Sequence, residues 1–254
     1  MSFSGPSEAY DRYMGRYSLR LAPLLAGFAG VEAGQRVLDV GCGPGALSAE
    51  LAGLVGADLV AAADPSAGFV RACADRVPGA DVREAPGEAL PWPADTFDAV
   101  LAQLVVSFLE DAEAGAREMR RVARADGVVA ACTWDLSGEM QMLRTFWDAA
   151  RALDVAAPDE ARMQYTDRDS LAELWSRAGL RGVEVAPLVV EVEYADFDDY
   201  WEPFLTGTGP AGAYCKSLDF EHQTALGTEC LRRLGTPRGS FGLSARAWAV
   251  RGLA

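Results

Sequence analysis

Residues 37–48 read V-L-D-V-G-C-G-P-G-A-L-S, and no other stretch limits the possible folds of this chain as tightly. A short strand-forming run (Val37, Leu38, Val40) is cut by glycines at alternate positions, Gly41, Gly43 and Gly45. Apolar residues at helical spacing follow, Leu47, Leu51, Leu54 and Val55. The pattern predicts a strand, a tight glycine turn and a helix. Such a turn lets a ligand lie against bare backbone, because glycine tolerates positive φ and carries no Cβ to hold the ligand away. The helix behind it presents unpaired N–H groups and a partial positive charge.

Two kinds of nucleotide ligand suit that geometry. Gly41, Gly43 and Ala46 satisfy the G-x-G-x-x-G/A dinucleotide fingerprint, and Asp64 follows at the distance of a ribose-binding acid. Asp39, inside the strand and two residues before the first glycine, favours a different ligand. A carboxylate at that strand edge repels a pyrophosphate but accepts hydrogen bonds from an amino acid's ammonium group.

Beyond the loop, apolar runs alternate with helical patterns at the rhythm of a parallel sheet. Strands are predicted near 36–40, 58–63, 80–84, 98–102 and 128–133, with helices near 46–55, 67–76 and 111–123. The rhythm then breaks. Residues 140–153 and 170–178 read as helices, and 183–194 and 243–250 as strands.

With these motifs in order, the chain resembles the class I S-adenosylmethionine-dependent methyltransferases, specifically the small-molecule group called methyltransferase type 11. The resemblance rests on the glycine loop and on Asp64-Pro65-Ser66 closing the second strand. It continues through Glu88-Ala89-Leu90-Pro91, Phe97-Asp98, Arg121-Val122 and Asp126-Gly127 before the strand at 128–133. It covers roughly residues 35–135, and residues 10–18 (Y-D-R-Y-M-G-R-Y-S) are similar to the N-terminal segment of some bacterial members.

The resemblance implies an α/β, Rossmann-like, seven-stranded, mostly parallel sheet with helices on both faces and helical cap insertions, closed by an antiparallel pair of strands. It implies a single methyltransferase domain over 1–254, with 1–30 as an N-terminal lid segment and 136–165 and 195–238 as substrate-cover insertions. It implies S-adenosylmethionine as cofactor. Gly41, Cys42, Gly43 and Gly45 would pack against the methionine moiety, Asp39 would orient its amino group, and Asp64, followed by Pro65, would bond the ribose hydroxyls. Gly87, Glu88 and Gln103 would flank the adenine and sulfonium side, and Arg16 would pair with the cofactor carboxylate. One departure concerns adenine: Pro86 stands where many relatives carry an aspartate that receives the adenine amino group, which leaves the contact to Gly87 or Glu88.

The acceptor side is read from aromatic residues. Tyr13, Trp147, Tyr200 and Trp201 fall on the N-terminal segment and the insertions, and Trp134 ends the fifth strand, facing the usual ligand crevice of an open α/β sheet. They suggest a small, partly apolar acceptor. Plain core packing is the competing reading for each ring. No general base stands out. The single histidine, His222, lies in a polar helical stretch and reads as a surface residue.

Composition narrows the partners. With 37 acids against 23 bases and a formal charge of −14, nucleic acid and anionic membrane are expected to be excluded. No apolar run approaches the length needed to span a bilayer, residues 1–10 lack the pattern of a signal peptide, and a cytoplasmic protein is expected. The five cysteines, Cys42, Cys73, Cys132, Cys215 and Cys230, form no C-x-x-C pair, so reduced thiols are expected and a metal site is not. Three other functions remain open: a nicotinamide-dependent oxidoreductase, a non-catalytic S-adenosylmethionine-binding protein, and a different reaction on the same scaffold. The oxidoreductase lacks a recognisable Tyr-Lys pair, since Lys216 is the only lysine.

Overall fold

A computed structural model describes residues 10–254, so the first nine residues of the expected N-terminal segment lie outside the described part. The chain divides into two compact units. The larger holds Ser18–Trp134, Gln164–Leu188 and Ala247–Ala254; the smaller holds the described residues up to Tyr17 together with Asp135–Met163 and Val189–Arg246.

After a π-helical turn at Asp11–Gly15 comes α1 (Arg16–Ala29). The larger unit then alternates β1 (Val37–Val40), α2 (Ala46–Val55), β2 (Val60–Asp64), α3 (Ala67–Arg76), β3 (Asp81–Glu84) and β4 (Phe97–Gln103). It continues through α4 (Ala112–Val122) and β5 (Ala123–Trp134). The remaining elements in chain order are α5 (Gln141–Leu153), α6 (Arg168–Arg177), β6 (Arg181–Tyr194), α7 (Phe197–Leu205), α8 (Gly209–Ser217), α9 (Phe220–Arg233) and β7 (Phe241–Leu253). Seven strands form one sheet in the order β3-β2-β1-β4-β5-β7-β6. The pairs β3–β2, β2–β1, β1–β4 and β4–β5 are parallel, and β5 pairs β7 antiparallel, with Thr133 opposite Trp248. The expected Rossmann-like, mostly parallel sheet is the observed one.

The central strands are buried along their whole length, as parallel strands covered by crossover helices must be. Strand β2 is Val60-Ala61-Ala62-Ala63-Asp64, and its small side chains bring neighbouring helices close. The main core gathers Leu38, Val100, Val129, Phe97, Met119 and Trp175, and the Trp175 indole N–H donates to the Val129 carbonyl over 3.0 Å. Helix starts are fixed locally. Ser66 accepts from Phe69 N, and Asp111, Asp167 and Asp196 each cap a helix by accepting backbone N–H groups, a use for some of the excess acid.

Two boundaries differ from expectation. The second strand begins at Val60 rather than 58, because a 3₁₀ turn after Gly56 takes Ala57–Leu59. The fifth begins at Ala123, and the Asp126-Gly127 turn sits inside it, with Asp126 at φ +63° and a register shift against β4.

In the smaller unit, aromatic rings form the core. Phe146 stacks on Phe204 with centroids 4.5 Å apart and meets Trp147 edge-on at 5.1 Å; Tyr13 meets Phe204 edge-on at 5.4 Å. Their polar ends are satisfied within the unit. The Trp147 indole donates to Glu160 Oε2 over 2.7 Å, the Tyr200 hydroxyl to the Met142 carbonyl over 3.1 Å, and the Tyr17 and Tyr194 hydroxyls lie 2.9 Å apart. Trp147 and Tyr200, expected to line an acceptor pocket, are 1% exposed and are core residues of this unit. Sequence spacing placed Trp147 on a helix and Tyr200 in an aromatic-rich insertion, but could not say which face of either is buried.

Candidate functional site

The glycine loop joins β1 to α2 as the pattern predicts. Gly41, Gly43 and Gly45 all take positive φ, and Gly45 is the N-cap of α2. Gly41 is required twice over: its φ is +70°, and a Cβ there would lie 2.8 Å from Val105 Cβ. The amides of Gly41 and Cys42 both donate to the Ala63 carbonyl, at 2.8 and 3.0 Å, which ties the loop to the end of β2.

Asp39 points into the fold beneath this loop and is 1% exposed. Its Oδ2 accepts from the Ser48 hydroxyl over 2.6 Å, and its Oδ1 has no hydrogen-bond partner among the described residues. Burial pushes its carboxyl up to about 7, against the pull of the Ser48 hydrogen bond. An acid in this state is poised to ionise when a cation arrives. On the neighbouring strand, where Leu101 is the register partner of Asp39, Gln103 ends β4. Its Nε2 donates to the Ser18 carbonyl over 3.0 Å, which fixes the amide's orientation and leaves Oε1 buried and likewise unpartnered among the described residues. Leu104 follows at φ +64°, a strained conformation for leucine that turns the chain at the end of β4.

Asp64 closes β2 with both oxygens in use. Oδ2 accepts from Gly43 N at 3.0 Å and Oδ1 from Ser66 N at 2.9 Å, so its carboxylate holds the loop in shape. Burial raises its carboxyl while these two amides pull it back. Pro65 beside it is exposed. Gly87 lies against the side chains of Leu109 and Val40. Glu88 is turned toward the start of α4, its Oε1 accepting from the amides of Glu110 (2.9 Å) and Asp111 (3.3 Å). Asp39, Gly41, Cys42, Gly43, Gly45, Asp64 and Gln103 are thus gathered at the carboxyl ends of adjoining parallel strands. Ser48 and Leu104, which shape this cluster, carry no motif that would single them out.

Of the remaining expected residues, Tyr13, Arg16 and Trp201 belong to the smaller unit and Trp134 to the larger. Arg16 forms a two-pronged pair with Asp199, Nη2–Oδ1 2.6 Å and Nη1–Oδ2 3.1 Å, and lies over the Tyr194 ring at 4.6 Å. The guanidinium expected to meet the cofactor carboxylate is engaged by a carboxylate of the protein, whose geometry matches its planar fork. Tyr13 is buried; Trp201 is half-buried, stacked on Phe197 at 6.3 Å. Trp134 is buried at the end of β5, opposite Ala247. His222 is exposed and hydrogen-bonded to its helix cap Asp219 over 2.7 Å, the surface role expected. Among the described residues no group of His, Cys, Asp and Glu could hold a metal ion, and no helix is long and apolar enough to cross a membrane.

A family model described as "Methyltransferase domain" matches residues 38–131, the stretch from β1 to β5. A malonyl-[acyl-carrier protein] O-methyltransferase of Geobacter sulfurreducens is 31% identical over 191 residues, covering 74% of this chain and 70% of that one. The chain belongs to the class I S-adenosylmethionine-dependent methyltransferases. Uncharacterized proteins of Mycobacterium bovis and Mycobacterium tuberculosis are 33% identical over 170 residues, 63% of this chain, and the chain spans about 61% of their length. Among solved structures, the YcgJ protein of Bacillus subtilis shares the methyltransferase fold with a TM-score of 0.59 at 18% identity, covering 93% of this chain and 97% of that one. S-adenosylmethionine is the cofactor of the family.

Proposed function

We propose that this chain moves the methyl group of S-adenosylmethionine onto a small, partly apolar organic molecule. The observation that carries the reading is the pair of unpartnered acceptors, Asp39 Oδ1 and Gln103 Oε1, buried at the ends of adjacent strands. Leaving such atoms without a donor costs roughly 1 to 3 kcal/mol each, so the site is built for a ligand that brings N–H groups. A methionine ammonium does so; a pyrophosphate brings only acceptors and would face a buried carboxylate. This disfavours the nicotinamide alternative.

In this reading Asp39 orients the amino group, Asp64 holds the loop and offers its outer lone pairs to the ribose, and the N-terminus of α2 faces the carboxylate. The cofactor supplies a methyl group already activated on a sulfonium. The protein's contribution is alignment, which can lower a barrier by up to roughly 7 to 11 kcal/mol. Trp134, which ends β5 in the same unit as the glycine loop, is the aromatic candidate for acceptor contact. The formal charge of −14 argues against a polyanionic acceptor. Five cysteines without a disulfide fit a reducing compartment such as the cytoplasm.

Calorimetry with S-adenosylhomocysteine, 5′-methylthioadenosine and NADH tests the reading. S-adenosylhomocysteine should bind about tenfold or more tighter than 5′-methylthioadenosine, which lacks the amino-acid part, and Asp39→Asn should remove most of that difference. NADH should not bind. Equal affinity for the first two, or no heat from folded protein, would overturn it.

A further inference from the structure

Cys42 lies inside the glycine loop and Cys73 on α3, and the two side chains pack together with Ala62 in a small cluster separate from the main core. Cys42 is 6% and Cys73 0% exposed. Cys73 lies against the loop at Cys42 and at Gly45. Its thiol meets that of Cys42, and a Cβ built at Gly45 would lie 3.0 Å from Cys73 Sγ and 3.2 Å from its Cα. Cys73 Sγ is also 3.4 Å from Ser48 Oγ, whose hydroxyl holds Asp39. The two thiols therefore adjoin the loop that bears Gly43 and the serine that fixes Asp39.

The thiols of this protein differ in character. Among the described residues, Cys73 alone is drawn below the usual thiol range, first by the hydrogen bond from Cys42, which keeps its own proton. Burial pushes Cys132 and Cys230 up to about 12 and Cys215 to about 11, which makes them inert. Thiolate character in one sulfur and a protonated second thiol against it are what disulfide formation through a sulfenic acid requires.

We infer that Cys42 and Cys73 are a redox-sensitive pair whose disulfide disables the cofactor loop. This rests on the reading of residues 39–45 as the cofactor site. The Cys73 sulfur attacks one oxygen of hydrogen peroxide and the O–O bond breaks, giving a sulfenic acid and water. The Cys42 sulfur then attacks the Cys73 sulfur; the S–S bond forms, the S–O bond breaks, and the second oxygen leaves as water with the Cys42 proton. Two thiols lose two electrons and the peroxide gains them. Closing non-bonded sulfurs to the roughly 2.05 Å of a disulfide moves Cys42 in the loop and draws Cys73 from Ser48, so the Gly43–Asp64 and Ser48–Asp39 contacts are both disturbed.

The test treats the full chain with hydrogen peroxide, maps disulfides by mass spectrometry of unreduced peptides, and measures S-adenosylhomocysteine binding before oxidation, after it, and after dithiothreitol. A Cys42–Cys73 cross-linked peptide should appear, with affinity falling at least tenfold and returning on reduction. Cys73→Ser and Cys73→Ala should stay insensitive to peroxide, whereas Cys132→Ser should lose affinity as the parent does. Prior saturation with S-adenosylhomocysteine should slow the cross-link. Absence of the cross-linked peptide in oxidised, folded protein overturns the inference, as does a cross-link that leaves affinity unchanged. Reduced protein that binds no S-adenosylhomocysteine overturns the cofactor reading and the switch with it, a result separable from the mapping because it precedes oxidation.

Discussion

Ser48 donates its hydroxyl to one oxygen of Asp39 over 2.6 Å and, together with the Ser48 backbone amide, holds a carboxylate that is 1% exposed. Serine in the first turn of α2 is thus a positioning residue for the acid beneath the glycine loop. Ser48→Ala should leave Asp39 harder to ionise and less well aimed. The expected outcome is a loss of about 1 kcal/mol in S-adenosylhomocysteine affinity, some fivefold, with a far smaller change for 5′-methylthioadenosine. Equal losses for both compounds would show that Ser48 acts on the loop as a whole.

The pH dependence of binding follows from the same carboxyl. Burial pushes the Asp39 carboxyl up to about 7, and an ammonium ligand favours its ionised form. Affinity for S-adenosylhomocysteine should therefore rise as pH increases through 7 and level off above it. Asp39→Asn should flatten the curve. Calorimetry between pH 6 and 8.5 reads the slope, and a profile unchanged by Asp39→Asn would remove Asp39 from the role.

Asp64 is predicted to matter for both binding and fold. Its bonds to Gly43 N and Ser66 N mean that Asp64→Ala removes a loop brace as well as a ribose partner. Affinity should drop by roughly 1.5 to 3 kcal/mol. The melting temperature should fall too, where the sequence alone would have suggested little effect on folding. An unchanged affinity would dismiss the ribose assignment.

Glu160 is a buried acid of the smaller unit, raised to about 7 by burial and held by the Trp147 indole. Its folded value lies above its unfolded value, so its contribution to stability is greatest at low pH and is lost as pH rises from about 4.3 through 7. Glu160→Gln should remove that loss while still accepting from Trp147, raising the melting temperature at pH 8 by several degrees and little at pH 5. Trp147→Phe should do the opposite at pH 8, since it strands the carboxylate without its donor. Thermal melts at the two pH values distinguish these outcomes.

The sheet and its loop were legible because their causes are local. Helices 46–55 and 67–76 start where Gly45 and Ser66 cap them, and the buried strands announce themselves by unbroken apolar runs. Residues 195–238 showed only aromatic richness, and the division into α7, α8 and α9 depends on which faces meet across the smaller unit. Trp147 and Tyr200 looked like pocket residues for the same reason. Arg16 finds Asp199 at a separation of 183 residues, and Glu160 is buried by partners 13 and more residues away; no periodicity reports either. Ser48 and Cys73 gain meaning only once α2 and α3 are set beside β1.

Gly41 and Val105 are bound together in another sense. Because a β-carbon at position 41 would collide with the Val105 side chain, the two positions cannot drift independently. Any lineage that lost the glycine would have to reduce residue 105 to glycine as well, since an alanine there keeps the Cβ that stands 2.8 Å away, and the new side chain would still meet φ +70°. Across descendants of this gene, glycine should therefore hold at 41 while residue 105 varies.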